Sequence, residues 1–158
     1  MELWRGEYNR FMKKIFITII VIILLGAGYY FISPFFINKI VNEALPIVEN
    51  TEDTSVEVVK KGQFTGFDKI HTGSGTASVI SIGDKNYIRF EEDFVVANGP
   101  DLYVGLGQNG SYIKGSELGV LKGNVGSQNY ELPEGVSPEE VWIWCKAFSV
   151  SFAKAVLR

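Results

Sequence analysis

VWIWCKAFSVSF, residues 141–152, is the stretch on which the reading of this chain turns. Phe148, Val150 and Phe152 alternate with Ser149 and Ser151, the period of two imposed by a strand with one buried face. Val141, Ile143 and Cys145 share one parity, and Trp142 and Trp144 share the other. If strand geometry continues through Cys145, its thiol faces the same way as Val141 and Ile143, and its sulfur is at least partly buried.

Working outward, the preceding residues carry the same texture. Ser74 to Ile82 is rich in β-branched residues, and Gly83-Asp84-Lys85-Asn86 supplies a turn before Tyr87 to Val96, so the pair reads as a hairpin. Asn98-Gly99-Pro100-Asp101 is a further turn signal. Leu102 to Leu106 alternates, Gly107 to Gly115 is loop-like with Asn109-Gly110 as a hairpin turn, and Leu118 to Leu121 and Asn129 to Leu132 are short strands. Ser137-Pro138-Glu139-Glu140 reads as one turn before the last strands. Short strands at close spacing predict an all-β fold, a small β-sandwich or barrel-like domain over residues 56–158. Trp142, Trp144, Tyr103, Tyr130, Phe148 and Phe152 are expected in its core, with a ligand-binding aromatic patch as the alternative.

Ahead of this domain lies IFITIIVIILLGAGYYFISPFFI, residues 15–37, without a charge. A helix needs roughly 20 apolar residues to cross the ~30 Å hydrocarbon core, and the run is longer than the h-region of a cleaved signal. An uncleaved transmembrane anchor is therefore expected, with a cleaved signal as the alternative suggested by Gly26, Ala27 and Gly28. Arg5, Arg10, Lys13 and Lys14 precede the run, whereas Lys39 alone follows it closely. The positive-inside rule then makes residues 1–14 a cytoplasmic tail and places the C-terminal domain outside the cytoplasm, as in a single-pass cell-membrane protein. Tyr29 and Tyr30 suit the far interface, and Pro34 is expected to end or kink the helix. Residues 38–55 read as a stalk, weakly helical to Glu49 and then polar and acidic.

Residues 38–158 hold 11 basic and 16 acidic side chains, and the basic ones are scattered. A nucleic-acid surface would show a basic patch, so no nucleic-acid partner is expected. Cys145 is the sole cysteine, which excludes an intramolecular disulfide and a lipid-modified cysteine after the apolar run. Three readings stay open for it: a packing residue, a redox thiol, or a haem or metal ligand with or without His71, the sole histidine. Two such residues are too few for a closed zinc site. Glu91, Glu92, Asp93 and Asp101 are the densest acids; a solvated face or hairpin edge accounts for them better than a calcium site. Gly73-Ser74-Gly75 lacks the strand–helix setting of a dinucleotide loop. Asn109-Gly110-Ser111 is a glycosylation sequon.

Several stretches together resemble the DM-thirteen, or electron-transfer DM, domain. They are Gly66-Phe67, His71 to Gly75, Ile88 to Phe94, Asn98 to Val104, Leu118 to Pro133 and Val141 to Phe152. The resemblance covers roughly Val58 to Leu157. It implies a β-sandwich related to DOMON modules, and a redox role for the family's marker cysteine, which matches Cys145. Multidomain members carry DOMON or cytochrome partners on the same polypeptide; here electron transfer would need a separate redox partner protein. A stand-alone enzyme is not the expectation. Two function classes follow: a membrane-anchored extracytoplasmic redox or electron-transfer module centred on Cys145, with His71 as its candidate partner, or a non-catalytic binding or adhesion module with a structural cysteine.

Overall fold

The computed structural model describes residues 2–33, 37–47 and 55–158, and Pro34, Phe35, Phe36 and residues 48–54 of the expected stalk lie outside them. The chain divides into two compact units, residues 1–36 and 37–158. The first is a single helix, α1 (Glu2–Ile32), continuous through the basic residues and the apolar run. Its stretch Arg10–Tyr30 is long and apolar enough to cross a membrane, and none of it is buried against protein. Its isoleucines and leucines are exposed along the length of that stretch. A helix apolar all round is what lipid, not a protein core, would cover.

The second unit is almost entirely sheet. Its strands are β1 (Val56–Gly66), β2 (Gly73–Ser74), β3 (Thr76–Ile82), β4 (Lys85–Phe90), β5 (Val95–Val96) and β6 (Leu102–Gln108), followed by β7 (Ser111–Tyr112), β8 (Gly119–Val120), β9 (Gln128–Glu131), β10 (Glu140–Cys145) and β11 (Val150–Val156). Nine of them form one sheet in the order β7-β6-β10-β11-β1-β3-β4-β9, with β8 also on β6, while β2 and β5 make a separate two-stranded ribbon. All strand pairs are antiparallel.

The sheet curls around one core, giving the half-barrel or sandwich that the strand spacing predicts. Phe64, Val79, Phe90, Val104, Tyr130, Ile143 and Ala155 belong to the same buried cluster although they come from seven strands. Phe64 lies against Phe90 and Phe94, each with ring centroids 5.0 Å away, and Phe90 and Phe94 are 4.5 Å apart. Such aromatic pairs contribute about 0.5–1.5 kcal/mol each beyond their buried area. Of the six aromatic residues expected in the core, Tyr130, Trp142 and Phe152 are buried, and Tyr103 and Trp144 are half-buried. Phe148 is 66% exposed. It sits in the turn between β10 and β11, so the alternation of 148–152 begins as strand only at Val150.

One hairpin and one turn follow from local chemistry. Asn109 (φ 52°) and Gly110 (φ 78°) are both left-handed, as the tight turn between β6 and β7 requires. The long strand expected over Tyr87–Val96 instead stops at Phe90. Glu91 to Phe94 make a turn, closed by the Phe94 amide donating to the Glu91 carbonyl. The dense acids hold that turn: Asp93 accepts from the Thr76 amide and hydroxyl, and Glu91 accepts from Ser78 Oγ and Arg89 Nε.

Residues 37–47, expected as the weakly helical start of a stalk, are an extended strap laid along the domain. The Val41 amide donates to the Val125 carbonyl and the Glu43 amide to the Ser127 carbonyl. The Lys39 amide donates to Asn124 Oδ1, and the Glu43 carboxylate meets Lys122 Nζ and the Asn129 amide. The loop under the strap is shaped by Gln128, fully buried, whose side chain bonds the amides of Lys122 and Gly123, the Gly123 carbonyl and the Tyr130 hydroxyl. Gly123 and Gly126 let the backbones approach: a Cβ on Gly126 would lie 2.2 Å from the Val41 carbonyl oxygen. The apparent helical pattern is thus the pattern of a chain that spends its amides on a neighbouring loop.

Gly126 (φ 93°) tests the strap. Gly126→Ala adds about 1–2 kcal/mol of left-handed backbone strain and pushes on Val41. Trypsin should then cut after Lys39 faster than in the wild-type chain while the strands stay resistant. Equal rates would show that the strap is not held there.

Candidate redox site

Cys145 ends β10, where it is paired with Leu102 on β6 and Val150 on β11. Its side chain is fully buried, as are those of Val141 and Ile143 on the same face. A register shift falls between Ile143 and Trp144, leaving Phe152 as the extra residue of β11. Such a bulge turns Phe152 and Ala153 together towards the core, and both are buried. Cys145 therefore sits in a wall of apolar side chains, and among the described residues no hydrogen bond reaches its sulfur.

His71 lies in the loop between β1 and β2, where Asp68 organises the backbone. Asp68 Oδ1 accepts from the amides of Ile70 and His71, and Oδ2 is 2.6 Å from His71 Nδ1. The imidazole hydrogen bond, helped by the two amides, holds the exposed Asp68 carboxyl down at about 2. The His71 ring packs edge-on against Phe152, with centroids 4.6 Å apart. The hydrogen bond of the His71 imidazole goes to Asp68, and among the described residues none joins it to Cys145. Among the described residues no group of three His, Cys, Asp or Glu side chains could hold a metal ion. A haem would need an open approach to Sγ, and the enclosed thiol offers none.

The other parity of β10 builds a second surface, from Trp142 and Trp144, two of the residues for which a ligand-binding aromatic patch was the alternative expectation. Trp142 is 3% exposed, although it points away from the main core. Gly105 and Gly107 on β6 make this possible. A Cβ on Gly107 would lie 2.0 Å from Trp142 Nε1, and one on Gly105 would lie 2.6 Å from the Tyr112 ring. The bare backbone of β6 thus becomes a floor for aromatic rings. Trp142 packs against Phe67, with centroids 5.1 Å apart, and Lys154 Nζ stands 5.1 Å over the indole. The indole N–H donates to Glu140, a buried carboxylate also bonded by the Gly110 amide, with Lys154 Nζ 3.7 Å away. Glu140 is thus the first residue of β10, and not the end of a helical turn. Gly-x-Gly opposite an aromatic strand was the available signal for this arrangement.

On the same face Trp144 and Tyr112 stack in parallel, 4.7 Å apart with 4° between their planes. They line an open cleft of about 430 Å³ with Lys114, Glu117, Lys146 and Ser149. Tyr112 Oη is enclosed beside Glu117 and Ser116 without a hydrogen bond of good geometry. Burial, and then the neighbouring Glu117, push its phenol well above the usual range. Lys146 Nζ is 4.9 Å from the Tyr103 ring.

The Asp68–His71 contact gives a titration to check. A depressed carboxyl stabilises the folded loop above its unfolded value of 3.8, and the contribution disappears as pH falls through about 2. The Asp68 carboxyl carbon should titrate near pH 2 by NMR and return towards 3.8 in His71→Ala. A midpoint near 4 in the wild-type chain would mean that His71 and Asp68 are not paired.

No curated protein and no solved structure matches the chain. The electron transfer DM13 family matches residues 63–157, which takes in every strand from the last turn of β1 to β11 and contains Cys145, His71 and the Trp144 cleft. With more than half of its length matched, the chain belongs to the electron transfer DM13 family.

Proposed function

We propose that this protein is a membrane-anchored extracytoplasmic electron-transfer module, held by α1 and exchanging electrons with a separate redox partner protein, with Cys145 as its redox residue. Membership of the electron-transfer family over residues 63–157 carries the reading. The apolar span Arg10–Tyr30 and the basic residues before it support the anchor and its orientation. Enclosure restricts the chemistry. With its side chain fully buried, Sγ cannot meet a thiol, disulfide or peroxide unless the domain opens locally. The second reading, a binding or adhesion module with a structural cysteine, is favoured by that same enclosure and by the lack of a polar partner on Sγ.

Orientation is tested on sealed cells or outward-facing vesicles. Added protease should remove the C-terminal domain and spare the N-terminal tail; a protected domain would reverse the topology.

Cys145 is tested by three measurements on the full chain. On stability, Cys145→Ala should cost about 1–2 kcal/mol, from lost burial and a small cavity. Cys145→Ser should cost more, because an unpartnered buried hydroxyl adds about 1–3 kcal/mol. On redox function, the electron-transfer reading requires a redox couple in the wild-type chain that is absent from Cys145→Ala, and labelling of the folded thiol at the rate of local opening. A folded Cys145→Ala variant with unchanged electron exchange would leave the cysteine as a packing residue and make the binding module the standing function.

A further inference from the structure

We infer that the Trp144–Tyr112 cleft binds a small planar anionic aromatic molecule of the quinoid class. The choice of a quinoid over other planar anions rests on the electron-transfer reading; the affinity for a planar anion does not.

Two features converge there. The Trp144 and Tyr112 rings, stacked on each other, form an aromatic wall of the cleft, and Gly105 leaves the room that Tyr112 occupies, since a Cβ there would fall 2.6 Å from its ring. Flat π-systems are what such a wall accepts in offset stacking. Lys114, from the loop after β7, and Lys146, from the turn after β10, line the same cleft. Glu117 supplies one carboxylate, held anionic below its usual range by its own backbone amide and Tyr112, with lesser help from both lysines. The cleft thus carries two ammonium groups against one carboxylate, in a domain whose acidic residues outnumber its basic ones. That local excess favours a substituent of negative charge.

The position suits the family's work. Trp144 is the residue before Cys145 on β10, and its side chain lies on the opposite face of the sheet from the thiol. A planar molecule stacked on Trp144 would therefore be separated from Cys145 by the thickness of one strand, without contact with the enclosed sulfur. A neutral sugar would gain nothing from the excess positive charge of the cleft, whereas an anion would.

Calorimetric titration of the full chain in detergent tests the site, with anthraquinone-2,6-disulfonate as probe and cellobiose as the neutral comparison. Saturable one-to-one binding of the disulfonate is expected, at least tenfold weaker in Lys114→Ala/Lys146→Ala, weakened by added salt, and lost in Trp144→Leu. Lys114→Ala alone, at an exposed position, should weaken binding severalfold and leaves the fold untouched. No saturable binding, equal binding by all variants, or preferential binding of cellobiose would each overturn the assignment. Cys145→Ala keeps the two proposals apart. It should bind the disulfonate as the wild-type chain does even where electron exchange is lost, whereas loss of binding in the lysine variants with electron exchange intact would remove the cleft from the electron-transfer route.

Discussion

β1 is shared, and the domain depends on it. Over Val56–Gln63 it pairs with β3, and over Phe64–Gly66 it pairs with β11, so one strand joins the β3-β4-β9 half of the sheet to the β7-β6-β10-β11 half. A register shift between Val58 and Lys60 lets it twist between the two. Gly62 lies where Val156 crosses, and a Cβ there would fall 2.2 Å from the Val156 carbonyl oxygen. Phe64 stands at the junction and delivers its ring to Phe90 and Phe94 from the other half. Without this strand there would be two small sheets, each with an uncovered apolar face.

That strand is also where sequence reading fell short. VEVVKKGQFTG alternates poorly: Val56 to Val59 are all exposed, Lys60 and Lys61 follow them, and Gly62 interrupts the strand for a crossing that no local pattern reveals. The hairpins were legible wherever the turn chemistry was local, as at Asn109-Gly110, and the all-β class followed from them. The strap was misread because its amides are satisfied by residues more than 80 positions away. Such partners leave no trace in the periodicity of residues 37–47.

At the candidate site the legible part was the parity of β10. Val141, Ile143 and Cys145 do share a buried face. The burial of Trp142 on the other face was hidden, since it rests on two glycines in β6 and on Phe67, each distant in sequence. Phe148 shows the opposite error, a residue whose alternation looks like strand but falls in a turn. Gly107 makes the dependence concrete: the smallest side chain on one strand sets the position of the largest on its neighbour, and through it the buried Glu140.

The strap has a mechanical meaning. Tension applied to the chain ahead of Ile37 enters the domain through the hydrogen bonds of Lys39, Val41 and Glu43 to the loop at 124–129, before it can reach β1. While those bonds hold, residues 37–47 stay on the domain surface. If they yield, the strap itself is released, up to roughly 36 Å of chain at ~3.3 Å per residue, and the strands remain unloaded until it is taut. The strap would act as a shock absorber in series with the fold, and its yield point would be set by Glu43, Lys122 and the two glycines beneath it.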